Sequence, residues 1–148
     1  MGEHALPAVR SRVLVARPRD HVFEEFVRRT GRWWPLREQA MAPALAADVR
    51  IDPWEGGALA EVWDDGTEHP WGTLVRWRPP CELVVDWTAH DDGATTTLTV
   101  RFLEASWVTS WVEVRHDGWS ALGAEAPAIR ESYQVAWPRV LGAFLASV

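Results

Sequence analysis

The sequence predicts an α+β domain in which a curved antiparallel sheet of about seven strands wraps a long C-terminal helix, with a short helix pair after the first strand. Three observations predict it. A two-residue apolar alternation at 10–16 passes at once into helical spacing. From about residue 49 strand patterns recur six times behind short turns. From Pro127 to Val148 helical spacing returns.

In the first strand, Ser11, Val13 and Val15 alternate with Arg10, Arg12 and Leu14. Pro18 and Asp20 suit a helix start, and Val22, Phe23, Phe26 and Val27 form one apolar stripe that is expected to end near Gly31. Trp33-Trp34-Pro35 follows, and residues 40–47, rich in alanine, carry no decided pattern. The six later strands are VRID, GALAEVWDD, HPWGTLVRWRP, ELVVDWTA, TTTLTVRFLEA and WVTSWVEVRHDGW. Glu55-Gly56-Gly57, Asp64-Asp65-Gly66, Pro79-Pro80 and Asp91-Asp92-Gly93 supply the turns, and links this short favour antiparallel neighbours. In the last helix Ile129, Tyr133, Trp137, Leu141, Phe144, Leu145 and Val148 recur at helical spacing, and Pro138 is expected to kink it.

The chain of 148 residues reads as a single domain over 1–148, with 1–9 flexible. Its net charge of −6, with dispersed arginines and no lysine, argues against a nucleic-acid partner. No apolar run is long enough to span a membrane, Cys81 is alone and the N-terminus has no apolar leader, so a reduced, cytoplasmic protein is expected. The histidines show no zinc spacing, and neither a metal nor a cofactor is expected. Ser106, Ser110 and Cys81 sit in no nucleophile motif and Gly56-Gly57 in no phosphate loop, so no catalytic residue is assigned.

Tyr133 and Trp137, four apart, share a helix face and either close a core or line a cavity with a hydroxyl and an indole donor. His116 shares parity with Val112 and Val114 and is either a general base or ligand donor in that cavity, or a structural histidine near the sheet end. Glu61 alternates with Leu59 and Trp63. Like Arg76, Arg101 and Glu113, it is expected on the solvent face, as strand charges usually are. Eleven of the aromatic residues are tryptophan, more than a core of this size uses. The surplus either borders a ligand cavity or, through Trp33, Trp34 and Trp54, forms an exposed patch for a homodimer or another protein.

The segments VFEEFVRRTGRWWP, EGGALAEVWDDGTEHPWGTLVRWRPPCELVVDW, VEVRHDGW and YQVAWPRVLGAFL, in this order from about Arg10 to Leu145, resemble the heat-shock-protein-90 ATPase activator-like branch of the SRPBCC, or START-like, superfamily. The resemblance implies a helix-grip fold around an apolar cavity. It also implies a hydrophobic small-molecule ligand, and the helix stripe opposite the alternating strands makes Trp34, Trp63, Trp71, Val85, Trp87, Val114, His116, Tyr133, Trp137 and Leu141 the residues expected to hold it. Some members of the superfamily are cyclases or hydrolases, which makes an enzyme acting on a polyketide-like or carbonyl substrate the alternative. The chain departs from the pattern at Ala136 and at Glu104-Ala105-Ser106, where relatives often carry glycine. Chaperone activation is not expected, because the activator that names the branch has an additional N-terminal domain for which this chain has no room.

Overall fold

The computed structural model describes residues 6–90 and 94–148; the turn expected at Asp91-Asp92-Gly93 and His4 lie outside them. β1 (Val9–Val15) buries Val9 and Val15 and turns Arg10, Arg12 and Leu14 outward, as the alternation requires. Val9 therefore belongs to the sheet and not to a flexible leader, and Arg130 donates to the carbonyls of Pro7 and Ala8 just before it. α1 (Arg19–Arg28) buries the expected stripe of Val22, Phe23, Phe26 and Val27. One further helical turn, α2 (Thr30–Trp33), carries the chain past the expected stop at Gly31. Glycine suits the tight space there, because a Cβ would run into the Asp48 carboxylate and stand 2.9 Å from the Val49 backbone nitrogen.

The remaining strands are β2 (Ala46–Ile51), β3 (Ala58–Trp63), β4 (Glu68–Arg78), β5 (Glu82–Trp87), β6 (Thr96–Glu104) and β7 (Ser110–Asp117). They join β1 in one antiparallel sheet of order β1-β7-β6-β5-β4-β3-β2, curled into a half-barrel. α1 and α2 thus carry the chain from one edge strand to the other. The last strand begins three residues later than its sequence pattern suggests. Trp107, Val108 and Thr109 belong to the turn, where the Ala105 and Ser106 amides both donate to the Thr109 carbonyl.

Two register shifts in β4 decide which of its side chains face the concave side. Leu59 pairs with Gly72 but Ala60 with Pro70, which leaves Trp71 as an extra residue; Leu74 pairs with Val85 but Arg76 with Val84, which leaves Val75 extra. Trp71 and Leu74 are buried and Trp77 is half-buried, although strict alternation cannot place all three on one face. Gly72 lies between the shifts, and a Cβ there would strike the Asp86 carbonyl at 2.3 Å, so the strand closes on its neighbour only with glycine.

Two short 3-10 turns over Trp119–Glu125, separated by a break at Gly123 where φ is 60° and ψ −133°, lead into α3 (Ala126–Ser147), which runs as one helix through Pro138. Proline has no N–H, so the Gln134 carbonyl lacks its helical donor. α3 buries Trp137, Val140, Leu141 and Phe144 over the concave face. Phe144 meets Phe26 edge-on at 5.2 Å, and Phe26 meets Phe102 at 5.3 Å, so helix, crossover and sheet share one aromatic core.

Candidate functional site

Under the middle of α3 the core opens into a pocket of about 240 Å³. Ser132, Tyr133, Ala136, Trp137 and Val140 supply its helix wall, at the spacing of one helix face. Trp71 and Trp87 come from β4 and β5, and Trp34 with Glu38, Gln39, Ala40 and Met41 comes from the α2–β2 connection. Four of the tryptophans close a ring. Centroids lie 4.8 Å apart for Trp34 and Trp71, 5.6 Å for Trp71 and Trp87, 5.7 Å for Trp87 and Trp137, and 5.9 Å for Trp137 and Trp34. Two surface grooves of about 470 Å³ are larger, but charged side chains dominate the one over β1, β7 and β6 and rim the one between α1 and β2. Converging aromatic faces with few polar groups make the pocket under α3 the binding-site candidate.

The four indole N–H groups of the pocket are each committed to a protein acceptor. Trp87 Nε1 donates to the Tyr133 hydroxyl at 2.8 Å, and among the described residues that hydroxyl has a long 3.5 Å contact with the Ala89 carbonyl for its own proton. Burial pushes the Tyr133 phenol up to about 12 from its usual 10.0, against the opposing effect of the Trp87 bond. The hydroxyl therefore stays protonated and can donate to an acceptor in the pocket. Behind this wall, Trp137 Nε1 donates to His116 Nδ1 at 3.1 Å, which places the imidazole proton on Nε2, 2.7 Å from the Thr96 hydroxyl. Burial holds His116 down at about 3, with His90 acting in the same direction and Asp117 against it. His116 is consequently neutral at physiological pH, a fixed structural partner that does not reach the pocket.

Glu61 corrects the sequence reading. It is fully buried on the concave face, at 0% exposure, and accepts four N–H bonds. Oε1 takes the Met41 amide at 2.6 Å and Trp71 Nε1 at 3.0 Å; Oε2 takes the Ala42 amide at 3.1 Å and Trp63 Nε1 at 2.8 Å. The parity it shares with Leu59 and Trp63 prevails over the usual rule for strand charges, because four donors replace its hydration shell. Arg76, Arg101 and Glu113 do lie on the outer face, with Arg76 and Arg101 both paired to Glu82.

Of the ten residues expected at the ligand, Trp34, Trp71, Trp87, Tyr133 and Trp137 line the pocket together. Val85, Val114 and Leu141 are buried outside it, and Trp63 stacks on His69 with ring centroids 3.5 Å apart. Of the wall residues from the α2–β2 connection, Ala40 and Met41 fall in the undecided stretch 40–47 and Glu38 and Gln39 directly before it, so the sequence pattern offers no signal for them. Ala136 and Val140 were recoverable from the helix stripe. The expected patch of Trp33, Trp34 and Trp54 does not form, because Trp33 packs between Phe26 and Phe144 and is 5% exposed. Trp107 in the β6–β7 turn, at 95%, is the more exposed ring. Among the described residues no cluster of His, Cys, Asp and Glu could hold a metal ion, and no helix is long and apolar enough to cross a membrane.

A curled antiparallel sheet gripping a C-terminal helix over an aromatic pocket defines a helix-grip protein of the SRPBCC type. Within that class the chain belongs to the family of activator of Hsp90 ATPase homolog 1-like proteins, whose profile matches residues 16–148. Among solved structures it is similar to an anthrahydroquino-γ-pyrone synthase at 27% identity, covering 97% of this chain and 98% of that one, with a TM-score of 0.65. It is similar to CalC from Micromonospora echinospora, a self-sacrificing resistance protein, at 26% identity over 95% and 93% of the two chains, with a TM-score of 0.69. An HSP90 activator from Plasmodium falciparum shares the fold at 15% identity, over 76% and 73% of the chains, with a TM-score of 0.52. A comparison with curated proteins finds no match.

Proposed function

We propose that the chain binds a small, flat, hydrophobic or aromatic molecule carrying a hydrogen-bond acceptor at its edge. The closed ring of Trp34, Trp71, Trp87 and Trp137 beside the Tyr133 hydroxyl carries this reading. Ring faces favour stacking on a flat partner, and a hydroxyl kept protonated favours an acceptor such as a carbonyl oxygen. The synthase similar to this chain is named for an anthrahydroquino-γ-pyrone, a product class with both features. Calorimetric titration with chromone, a flat bicyclic ketone, is expected to show saturable binding. Tyr133→Phe should weaken it roughly three- to tenfold, the worth of one neutral hydrogen bond, and leave naphthalene binding unchanged. Absence of saturable heat for wild-type protein with chromone and related flat ketones would remove the proposal.

The second reading is a cyclase-like enzyme acting on a polyketide-like or carbonyl substrate, and the titratable Glu38 and Tyr133 on the pocket wall favour it. In that reading Tyr133 polarises the carbonyl as a donor. Turnover of such a substrate, abolished by changing Glu38, would select it over binding alone.

A further inference from the structure

The pocket has one wall that belongs to neither sheet nor long helix. Residues 34–45, between α2 and β2, contribute Trp34, Glu38, Gln39, Ala40 and Met41 to it. The described backbone bonds of this segment are mostly internal: Leu36 to Trp34, Glu38 and Gln39 to Pro35, and Leu45 to Ala42. Trp34 Nε1 also donates within it, to the Gln39 carbonyl at 2.8 Å. Among the described residues its polar ties to the sheet are the Met41 and Ala42 amides on Glu61 and, toward its far end, the Ala42 carbonyl accepting from the Ala46 amide of β2 and the Leu45 carbonyl accepting from the Asp64 amide. The carboxylate that receives the first two also receives Trp71 Nε1, whose ring is another wall of the same pocket.

We propose that Glu61 is a positioning residue that latches segment 34–45 as a flap over the pocket and, through the same carboxylate, fixes the Trp71 ring that the flap faces. Glu61 does not line the pocket, so it acts on a ligand only through Met41, Ala42 and Trp71. A carboxylate is the group this requires. Four N–H donors converge on two oxygens, and an amide would turn an NH₂ toward donors that need an acceptor. When its two amides leave Glu61 the flap moves away from sheet and helix, which widens the mouth of the pocket and speeds the exchange of a bound ligand. The inference rests on the binding reading above, and its test separates the two.

Amide hydrogen exchange and stopped-flow tryptophan fluorescence with chromone are measured on wild-type protein and on Glu61→Gln. In the variant, exchange at residues 39–46 is expected to rise roughly tenfold or more while the amides of β5 and β6 keep their protection, and bound chromone is expected to leave at least about tenfold faster. If Glu61→Gln does not fold, Trp63→Phe removes one donor and keeps the carboxylate, with a smaller acceleration at the same amides. Wild-type protein that binds neither chromone nor related flat ketones removes the binding proposal, and local acceleration at 39–46 still supports the latch. Exchange that rises evenly through the sheet, or a variant with unchanged exchange at 39–46, overturns the latch whatever the binding result.

Discussion

Lowering the pH from 7 to 5 is expected to reduce the stability of the folded chain by about 2 kcal/mol through His116 alone. The imidazole sits at about 3 in the native state against 6.5 when free, chiefly because burial disfavours its charged form. Above 6.5 neither state binds the proton and the stability is fully present. As the pH falls through 6.5 the unfolded chain takes up a proton that the native chain refuses, so the unfolding free energy falls by up to about 1.4 kcal/mol per pH unit until about pH 3. The groups facing His116 act on the same balance. Trp137 Nε1 occupies Nδ1, where a second proton would have to go, and Thr96 already receives the proton on Nε2. The rings of Trp87, Trp119 and Tyr133 pack around it without offering charge, His90 resists protonation and Asp117 favours it. Urea unfolding of wild-type protein and His116→Gln at several pH values between 7 and 5 isolates the effect, since the variant keeps every other titrating group. Wild-type protein should lose about 2 kcal/mol more than the variant across that range. Parallel curves would show that His116 is protonated in the native state.

The parity of β7 places His116 on the buried face, but a strand pattern does not say what the ring touches. Trp137 and Thr96 are 21 and 20 residues away in sequence, and such partners become visible only when α3 is laid on the sheet. The α1 stripe, the α3 stripe and the antiparallel order were legible for the same reason in each case: one face of each element is apolar at the element's own period, and the links are short. β4 was legible as a strand but not in its facing, since the two register shifts that turn Trp71 and Trp77 inward break the alternation on which the reading depends. Glu61 shows a different limit. Its parity was correct and its charge argued the other way, and the decision lay with two backbone amides from residues 41 and 42, in a stretch without periodicity. Half of the expected site residues reached the pocket because aromatic side chains on the concave face can extend to its mouth. Val85, Val114 and Leu141, with the same parity but deeper or shorter, fill the core behind it.

Trp137→Ala is expected to lower stability by roughly 3–5 kcal/mol, among the largest effects of a single truncation in this chain. The ring is buried where core and pocket meet, against Trp34, Trp87, His116 and Tyr133, so its removal joins the vacated volume to the pocket and no neighbouring element can collapse into it without moving α3. It also leaves His116 Nδ1 buried without a donor, a loss distinct from the cavity. Trp137→Phe separates the two: most of the ring remains, the N–H does not, and about 1–3 kcal/mol is expected. The same variant should titrate more easily at His116, because no N–H now opposes a proton on Nδ1, and its acid sensitivity between pH 7 and 5 should be shallower than that of wild-type protein. Adding indole to Trp137→Ala refills the vacated space, and the urea midpoint should rise with indole concentration as mass action requires, while wild-type protein with its ring in place gains little. An alanine variant that unfolds at the wild-type urea concentration would mean that Trp137 supports neither the core nor the pocket, and the binding proposal would lose the floor on which it rests.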